Sequence, residues 1–140
     1  CTGIVDLGSG GGFPGIILAI YYHSYNFHVK LYEKSPVKSA FLSKISQLLD
    51  LKCKIICSDV NTAKIESNYV VCRAFRKLPY ILNISRENCI KKHKIIVMKG
   101  KSAQEEINNT SQMRNYEYRL ENSITDNDSK IIILNVEQKL

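Results

Sequence analysis

The sequence contains no C-x-x-C pair, and its three histidines (His23, His28, His93) stand in no ligand spacing to its cysteines. Those cysteines are odd in number (Cys1, Cys53, Cys57, Cys72, Cys89), and most sit in apolar runs. A zinc site and a disulfide framework are both disfavoured, so no metal is expected. Reduced, buried thiols in a cytoplasmic protein are the simplest account. No apolar run reaches the length of a membrane span and no secretory leader is visible, so no membrane partner is expected. There are no internal repeats, no low-complexity stretch and no sign of a second domain. The chain also lacks an initial Met. It opens on Cys1, directly against its first apolar run, as a piece trimmed of a preceding segment would.

Acids are scarce relative to bases. Thirteen Asp and Glu face twenty Lys and Arg, a net charge of +7. That excess favours a polyanionic partner, with RNA, DNA and anionic membrane as the candidates; solubility and a lysine-rich coding bias are the plain alternative. At 140 residues the chain makes one domain, able to bury roughly 68–70% of its unfolded surface.

Glycine is concentrated in one place. Five of the seven glycines fall between Gly8 and Gly15, in the stretch Ile4-Val5-Asp6-Leu7-Gly8-Ser9-Gly10-Gly11-Gly12-Phe13-Pro14-Gly15. Ile4 to Leu7 has the pattern of a buried strand that ends at a ligand. The glycines permit positive φ and let a ligand lie against bare backbone. Pro14 suits the start of a helix, which continues as Ile16-Ile17-Leu18-Ala19-Ile20. Strand, loop and helix form a cradle for a nucleotide-like ligand, with a helix N-terminus aimed into it. Gly10-x-Gly12-x-x-Gly15 matches the dinucleotide fingerprint formally, as any glycine-dense loop can. Asp6 favours S-adenosylmethionine (SAM) instead. A strand-end acid before Gly-x-Gly is the usual SAM arrangement, and a carboxylate suits a ligand that carries an ammonium and a sulfonium.

Periodicity orders the rest. Strands are expected at 3–7, 27–32, 52–57, 68–72 and 95–98, with helices at 14–22, 78–88, from Pro36, and after Ser102. In the helix from Pro36, Val37, Ala40, Phe41, Ile45, Leu48 and Leu49 form a stripe expected to face the sheet. Ser102 is expected to cap a helix with Glu105 and Glu106 in its first turn, as in a capping box. Two late strands, 115–121 and 131–136, flank a polar turn. Five β-α alternations predict an α/β, Rossmann-like, doubly wound and mostly parallel sheet with a C-terminal antiparallel hairpin.

In such sheets the ligand crosses the carboxyl ends of the strands, where the polar residues collect. Asp6 and Gly8 follow the first strand and Glu33 the second, where a carboxylate can accept both ribose hydroxyls. Asp59 or Asn61, after the third, can meet the adenine amino group. Arg73 follows the fourth and Lys99 the fifth. Taken singly, each is more often a loop acid, a salt-bridge partner or a solvated charge; the case rests on their sharing one edge. The fourth strand ends in Cys72-Arg73-Ala74-Phe75. It lacks the Asp/Asn-Pro-Pro-aromatic of amino-group methyltransferases and the Pro-Cys nucleophile of pyrimidine C5 enzymes, so Cys72 reads as core. No general base is apparent. A ring nitrogen with a free lone pair, such as guanine N7, needs none, and positioning would supply most of the rate. Arg73 could donate to guanine O6 or to a phosphate.

The loop 6–15, Glu33 with Lys38…Phe41-Leu42, Arg73-Ala74-Phe75 and Met98-Lys99-Gly100 together resemble the bacterial ribosomal RNA small-subunit methyltransferase G family, formerly glucose-inhibited division protein B. The resemblance runs nearly the whole length. It implies a class I SAM-dependent methyltransferase core over 1–140, acting on N7 of a guanine in 16S rRNA, in the cytoplasm and as a monomer. Carried over by position, Gly8 and Phe13 would line the methionine side and Val60-Asn61 the adenine, with Gly10 also in contact with the cofactor. Arg73 would stand at the reaction edge beside the cofactor, with Lys99 as an RNA or site contact. The chain departs from the family pattern in three ways. Asp59-Val60-Asn61 replaces the usual Arg, small residue, Glu; 21–27 is slightly long; and the family's helical segment before the first strand is not part of this sequence. Two rival readings stand beside this one: a SAM enzyme acting on another RNA or a small molecule, and a degenerate, non-catalytic RNA-binding remnant.

Overall fold

The computed structural model describes residues 2–73 and 75–137; Cys1 and Ala74, both named above, lie outside the described residues. The first half of the chain follows the apolar runs closely. Strand β1 (Thr2–Leu7), helix α1 (Gly15–Tyr21), β2 (Phe27–Tyr32), α2 (Pro36–Leu48) and β3 (Cys53–Ile56) alternate as the periodicity predicts. After β3 comes one 3-10 turn, Val60–Thr62, and then β4 (Tyr69–Arg73), α3 (Leu78–Asn88), β5 (His93–Lys99), α4 (Ala103–Asn109), a second 3-10 turn, β6 (Glu117–Asn122) and β7 (Lys130–Val136).

The seven strands form one sheet in the order β3-β2-β1-β4-β5-β7-β6. β1 to β5 pair in parallel. β7 pairs antiparallel with both β5 and β6, so the expected hairpin is present and is laid into the sheet edge. The strand order reverses between β1 and β4, which makes the crevice above those two strands the place for a ligand. The sheet separates two apolar clusters. Ile16 and Ala19 of α1 and Leu42 of α2 pack with Val29 and Leu31 on one face. Ile81, Leu82 and Ile84 of α3 and Ala103 and Ile107 of α4 pack with Val5, Leu7, Val70, Cys72, Ile95 and Val97 on the other.

Three expectations are corrected. Only four of the five β-α alternations contain an α-helix, because the β3–β4 connection makes just the 3-10 turn. The apolar stripe assigned to α2 faces the sheet only through Ile45, which packs on the Val29–Leu31 cluster: Val37 is 80% exposed, Leu48 71% and Phe41 51%, while Ser39 and Leu42 are buried. Two contacts fix that rotation. The Ser39 hydroxyl donates to the Glu33 carbonyl at 2.8 Å, and Leu42 lies against Gly12, where an added Cβ would come within 3.1 Å of its Cδ2. A polar anchor therefore overrides the hydrophobic count. Finally, Ser102 sits at the N-cap of α4 but makes no side-chain capping bond, and the Glu106 carboxylate of the first turn bonds outside its own helix.

The rotation of α2 can be checked by urea unfolding. Leu42→Ala should cost about 2–5 kcal/mol, whereas Val37→Ser should stay within about 0.5 kcal/mol of the parent. Equal costs would put the original stripe back against the sheet.

Candidate cofactor and acceptor site

The glycine loop is held by its backbone and by two carboxylates. Gly8 N and Ser9 N both donate to the Tyr32 carbonyl at the end of β2, at 2.9 and 3.1 Å, and Gly12 N returns to Ser9 O at 2.8 Å. Gly8, Gly10 and Gly12 all adopt positive φ, of 68°, 56° and 96°, conformations that L side chains rarely hold. Asp6 Oδ2 accepts from Ser9 Oγ at 2.6 Å and from Gly15 N, the first residue of α1, at 2.9 Å. Glu33 Oε2 accepts from Gly10 N at 2.9 Å, and its Oε1 from Ser35 N at 3.1 Å. Asp6 thus ties the far end of the loop to β1, and Glu33 ties the middle of the loop to the start of α2.

These two acids differ in setting. Asp6 is 1% exposed, and burial raises its pKa from an ordinary 3.8 to about 6, against the lowering pull of the Ser9 and Gly15 hydrogen bonds. Its Oδ1 is buried without a hydrogen-bond partner among the described residues. Glu33 lines a cavity of about 240 Å³ together with Gly8, Gly10, Asp59, Val60 and Asn61. Six of the predicted site residues therefore meet in one place, at the carboxyl ends of β1, β2 and β3. Asp6, Phe13, Arg73 and Lys99 are not among its lining residues. Asp6 stands behind the loop, Phe13 is 54% exposed on it, and Arg73 is exposed at the end of β4.

Lys99 has a different engagement. Its Nζ donates to the Arg76 carbonyl at 2.7 Å and pairs with Glu106 at 3.1 Å. Glu106 Oε1 also accepts from Leu78 N, at the first turn of α3, at 2.6 Å. Lys99 and Glu106 together fasten the β4–α3 corner, the segment that carries Arg73 and Phe75.

Tyr80, Arg76 and Asn88, to which the sequence pattern assigns no role, join the site. Phe75 and Tyr80 meet edge to face at 5.9 Å between ring centroids, and Arg76 lies 5.2 Å over the Tyr80 ring. The Phe75 ring covers Gly8 so closely that a Cβ there would collide with it. Asn61 Nδ2 donates to Asp59 Oδ1 and to Tyr80 Oη, each at 2.8 Å, and the Asn61 backbone bond holds the Asp59 carboxyl below its usual range. Asn88 Nδ2 donates to the carbonyls of Val60, Asn61 and Ala63 at 2.8–3.1 Å, which pins the 3-10 turn to α3. Phe75 was visible as part of Arg73-Ala74-Phe75; the bonds of Asn88 to the 3-10 turn and of Glu106 to Leu78 had no local signal, because they span 25–28 residues. Cys72 is wholly buried, and burial pushes its thiol up to about 12, so it is inert core as its sequence context indicated.

A carboxylate oxygen left unpaired behind a glycine loop fits a ligand with a cationic group, and open space before Gly10, where an added Cβ would meet only Gly8 O at 3.9 Å, fits a ligand lying on the backbone. The strand order and this loop define the Rossmann-like class I methyltransferase fold. Solved structures share it. An RNA methyltransferase from Salinibacter ruber in complex with S-adenosyl-L-homocysteine superposes with TM-score 0.71 at 14% identity, over 99% of this chain and 83% of that one. M. jannaschii TYW2 in complex with AdoMet does so with TM-score 0.68 at 16% identity, over 98% and 69%. The family model described as rRNA small subunit methyltransferase G matches residues 2–132. Curated relatives named Ribosomal RNA small subunit methyltransferase G are 36% identical in Pelagibacter ubique (strain HTCC1062), over 96% of this chain and 64% of the relative, and 36% identical in Orientia tsutsugamushi (strain Ikeda), over 95% and 65%. The chain belongs to this family, and it spans just under two thirds of the length of those two relatives.

Asp6 makes a pH prediction. Its pKa is higher in the folded than in the unfolded chain, so the native state binds the extra proton. Stability from this group is complete below about pH 4 and is lost as pH rises through about 6. The loss should be about 3 kcal/mol. Measured against Asp6→Asn by urea unfolding, the parent should therefore lose relative stability between pH 4 and pH 7. A pH-independent difference would show that Asp6 is not the buried acid described.

Proposed function

We propose that this chain is the SAM-binding catalytic core of an enzyme that methylates N7 of a guanine in 16S rRNA, presented as naked RNA or within the small ribosomal subunit, in the cytoplasm. The observation that carries this is the family membership, joined to one cavity that gathers Gly8, Gly10, Glu33, Asp59, Val60 and Asn61 at the carboxyl ends of β1, β2 and β3. SAM, when bound, supplies an electrophilic methyl group on a sulfonium. The residues divide the work of holding it. Gly8 and Gly10 offer bare backbone to the methionine end, and the unpaired Asp6 Oδ1 gives a negative charge behind them for the ammonium. Glu33 accepts one N–H on each carboxylate oxygen and keeps lone pairs for ribose hydroxyls. Val60 contributes a buried apolar contact and Asn61 an amide for adenine, in place of the family's usual residues there.

On the acceptor side the chemistry asks for little. Guanine N7 presents a lone pair, so no base is needed, in keeping with the inert Cys72 thiol at the end of β4. Arg73, exposed at that edge and without an ion pair among the described residues, orients the base through O6 or a phosphate. Phe13 flanks the loop from the solvent side, and Lys99 positions the acceptor edge through Arg76 and Glu106. Rate enhancement comes from alignment and exclusion of water.

Transfer of tritiated methyl from SAM to naked 16S rRNA, assembled small subunits and a metabolite pool tests the reading. Label in rRNA is expected, and label only in the metabolite pool would overturn it. A degenerate remnant would instead bind RNA and give no calorimetric heat with SAM. Gly10→Val should abolish SAM binding, because its φ of 56° strains a β-branched residue and the side chain enters the space before the loop. Arg73→Ala should abolish transfer while SAM affinity falls less than about tenfold; full activity would remove Arg73 from the mechanism.

A further inference from the structure

Among the described residues, the β3–β4 connection leaves part of the sheet bare. β2 alternates, with Val29 and Leu31 buried under α1 and α2, and His28 and Lys30 on the opposite face. Lys30 sits in register beside Lys54 of the edge strand β3. A helix after β3 would cover this region; the 3-10 turn reaches only the carboxyl end, through Val60 and Ile65. What remains is a cavity of about 590 Å³ around the amino ends of β2 and β3, lined among others by Tyr25, Phe27, His28, Lys30, Lys52 and Lys54, with no carboxylate in its lining. The single acid lining the adjoining cavity, Glu66, is already paired with Lys91 at 3.8 Å. Lys30, Lys52 and Lys54 form no ion pair among the described residues.

Two lysines side by side on neighbouring strands repel and are destabilising. A third lysine and an exposed tyrosine, Tyr25 at 61%, adjoin them; the ring of Tyr21 lies parallel to that of Tyr25 and the ring of Tyr22 meets it edge-on. Cations that follow a groove beside aromatic faces are the means by which proteins hold single-stranded nucleic acid. We propose that this face, at the opposite end of the strands from the glycine loop, is a second RNA-binding surface that grips single-stranded phosphates with Lys30 and Lys54 and stacks a base on Tyr25. It rests on the reading that the protein acts on RNA. It would seat a flanking strand while the target base occupies the other end of the sheet.

The test is the salt dependence of binding to a 20-nucleotide single-stranded oligouridylate. Losing two phosphate contacts should lower the slope of log affinity against log salt by about 1.4, since a single strand gives roughly 0.7 per contact. Lys30→Gln/Lys54→Gln should show that loss and bind about tenfold or more weakly at moderate salt, with SAM affinity unchanged as the check on folding. Lys44→Gln/Arg114→Gln removes the same charge from other exposed positions and should keep the slope. Tyr25→Ala should weaken binding about tenfold with the slope intact. Equal slopes for the two double variants, or no change in either, would overturn the proposal, as would loss of binding to phosphatidylserine vesicles with RNA binding preserved. If the parent methylates rRNA while the Lys30/Lys54 variant binds unchanged, only this surface is wrong. If the parent neither binds nor methylates any RNA, both readings fall.

Discussion

Everything at the carboxyl edge of the sheet depends on two carboxylates that accept from the glycine loop. A loop with three positive-φ glycines has many conformations available, and ordering it costs roughly 1–2 kcal/mol per residue in backbone entropy. Asp6 and Glu33 offset part of that cost with hydrogen bonds to Gly15 N and Gly10 N. Bonds to charged acceptors in buried settings are among the stronger ones available. Since each carboxylate belongs to a strand end, the loop inherits the rigidity of β1 and β2.

The same arrangement explains why Asp6 serves the site from behind. A short side chain at the end of β1 is aimed at α1 by strand alternation, and Gly15 has room for it only because it lacks a Cβ; one there would lie 2.6 Å from Asp6 Oδ2. The acid faces the first helical turn, where negative charge is favoured. Glu33, one residue beyond β2, is reached by the cavity. Strand-end acids on adjacent strands thus have separate tasks, one structural with a spare oxygen and one on the surface of the cavity.

Much of this was legible in the sequence because it depends on local pattern. The glycine loop, the strands β1 and β2, the helix α3 at 78–88, and the meeting of Gly8, Glu33, Asp59 and Asn61 all follow from spacing along the chain. The misses share a cause. α2 was assigned its face by counting apolar residues, and a single Ser39 hydroxyl on the Glu33 carbonyl turned it away. Glu106 was assigned to its own helix, and its carboxylate bonds to Leu78 N and Lys99 instead. Asn88 had no visible role, and three carbonyls of the 3-10 turn converge on its amide. Each is a polar side chain bonded outside its own helix, six residues back for Ser39 and 25–28 residues away for Asn88 and for Glu106 at Leu78, and apolar periodicity does not report such bonds.

The Glu106–Leu78 bond has one more consequence. Lys77, at the N-cap of α3, has no side-chain capping bond of its own; the donor at the helix start is satisfied from α4. α3 is therefore capped in trans. Its first turn closes its own bonds from Tyr80 N and Ile81 N to the Lys77 carbonyl, and the remaining donor, Leu78 N, is met by a residue 28 positions further on. The corner bearing Arg73 and Phe75 is thereby coupled to α4, so a change in α4 that moves Glu106 reaches the acceptor edge without touching it.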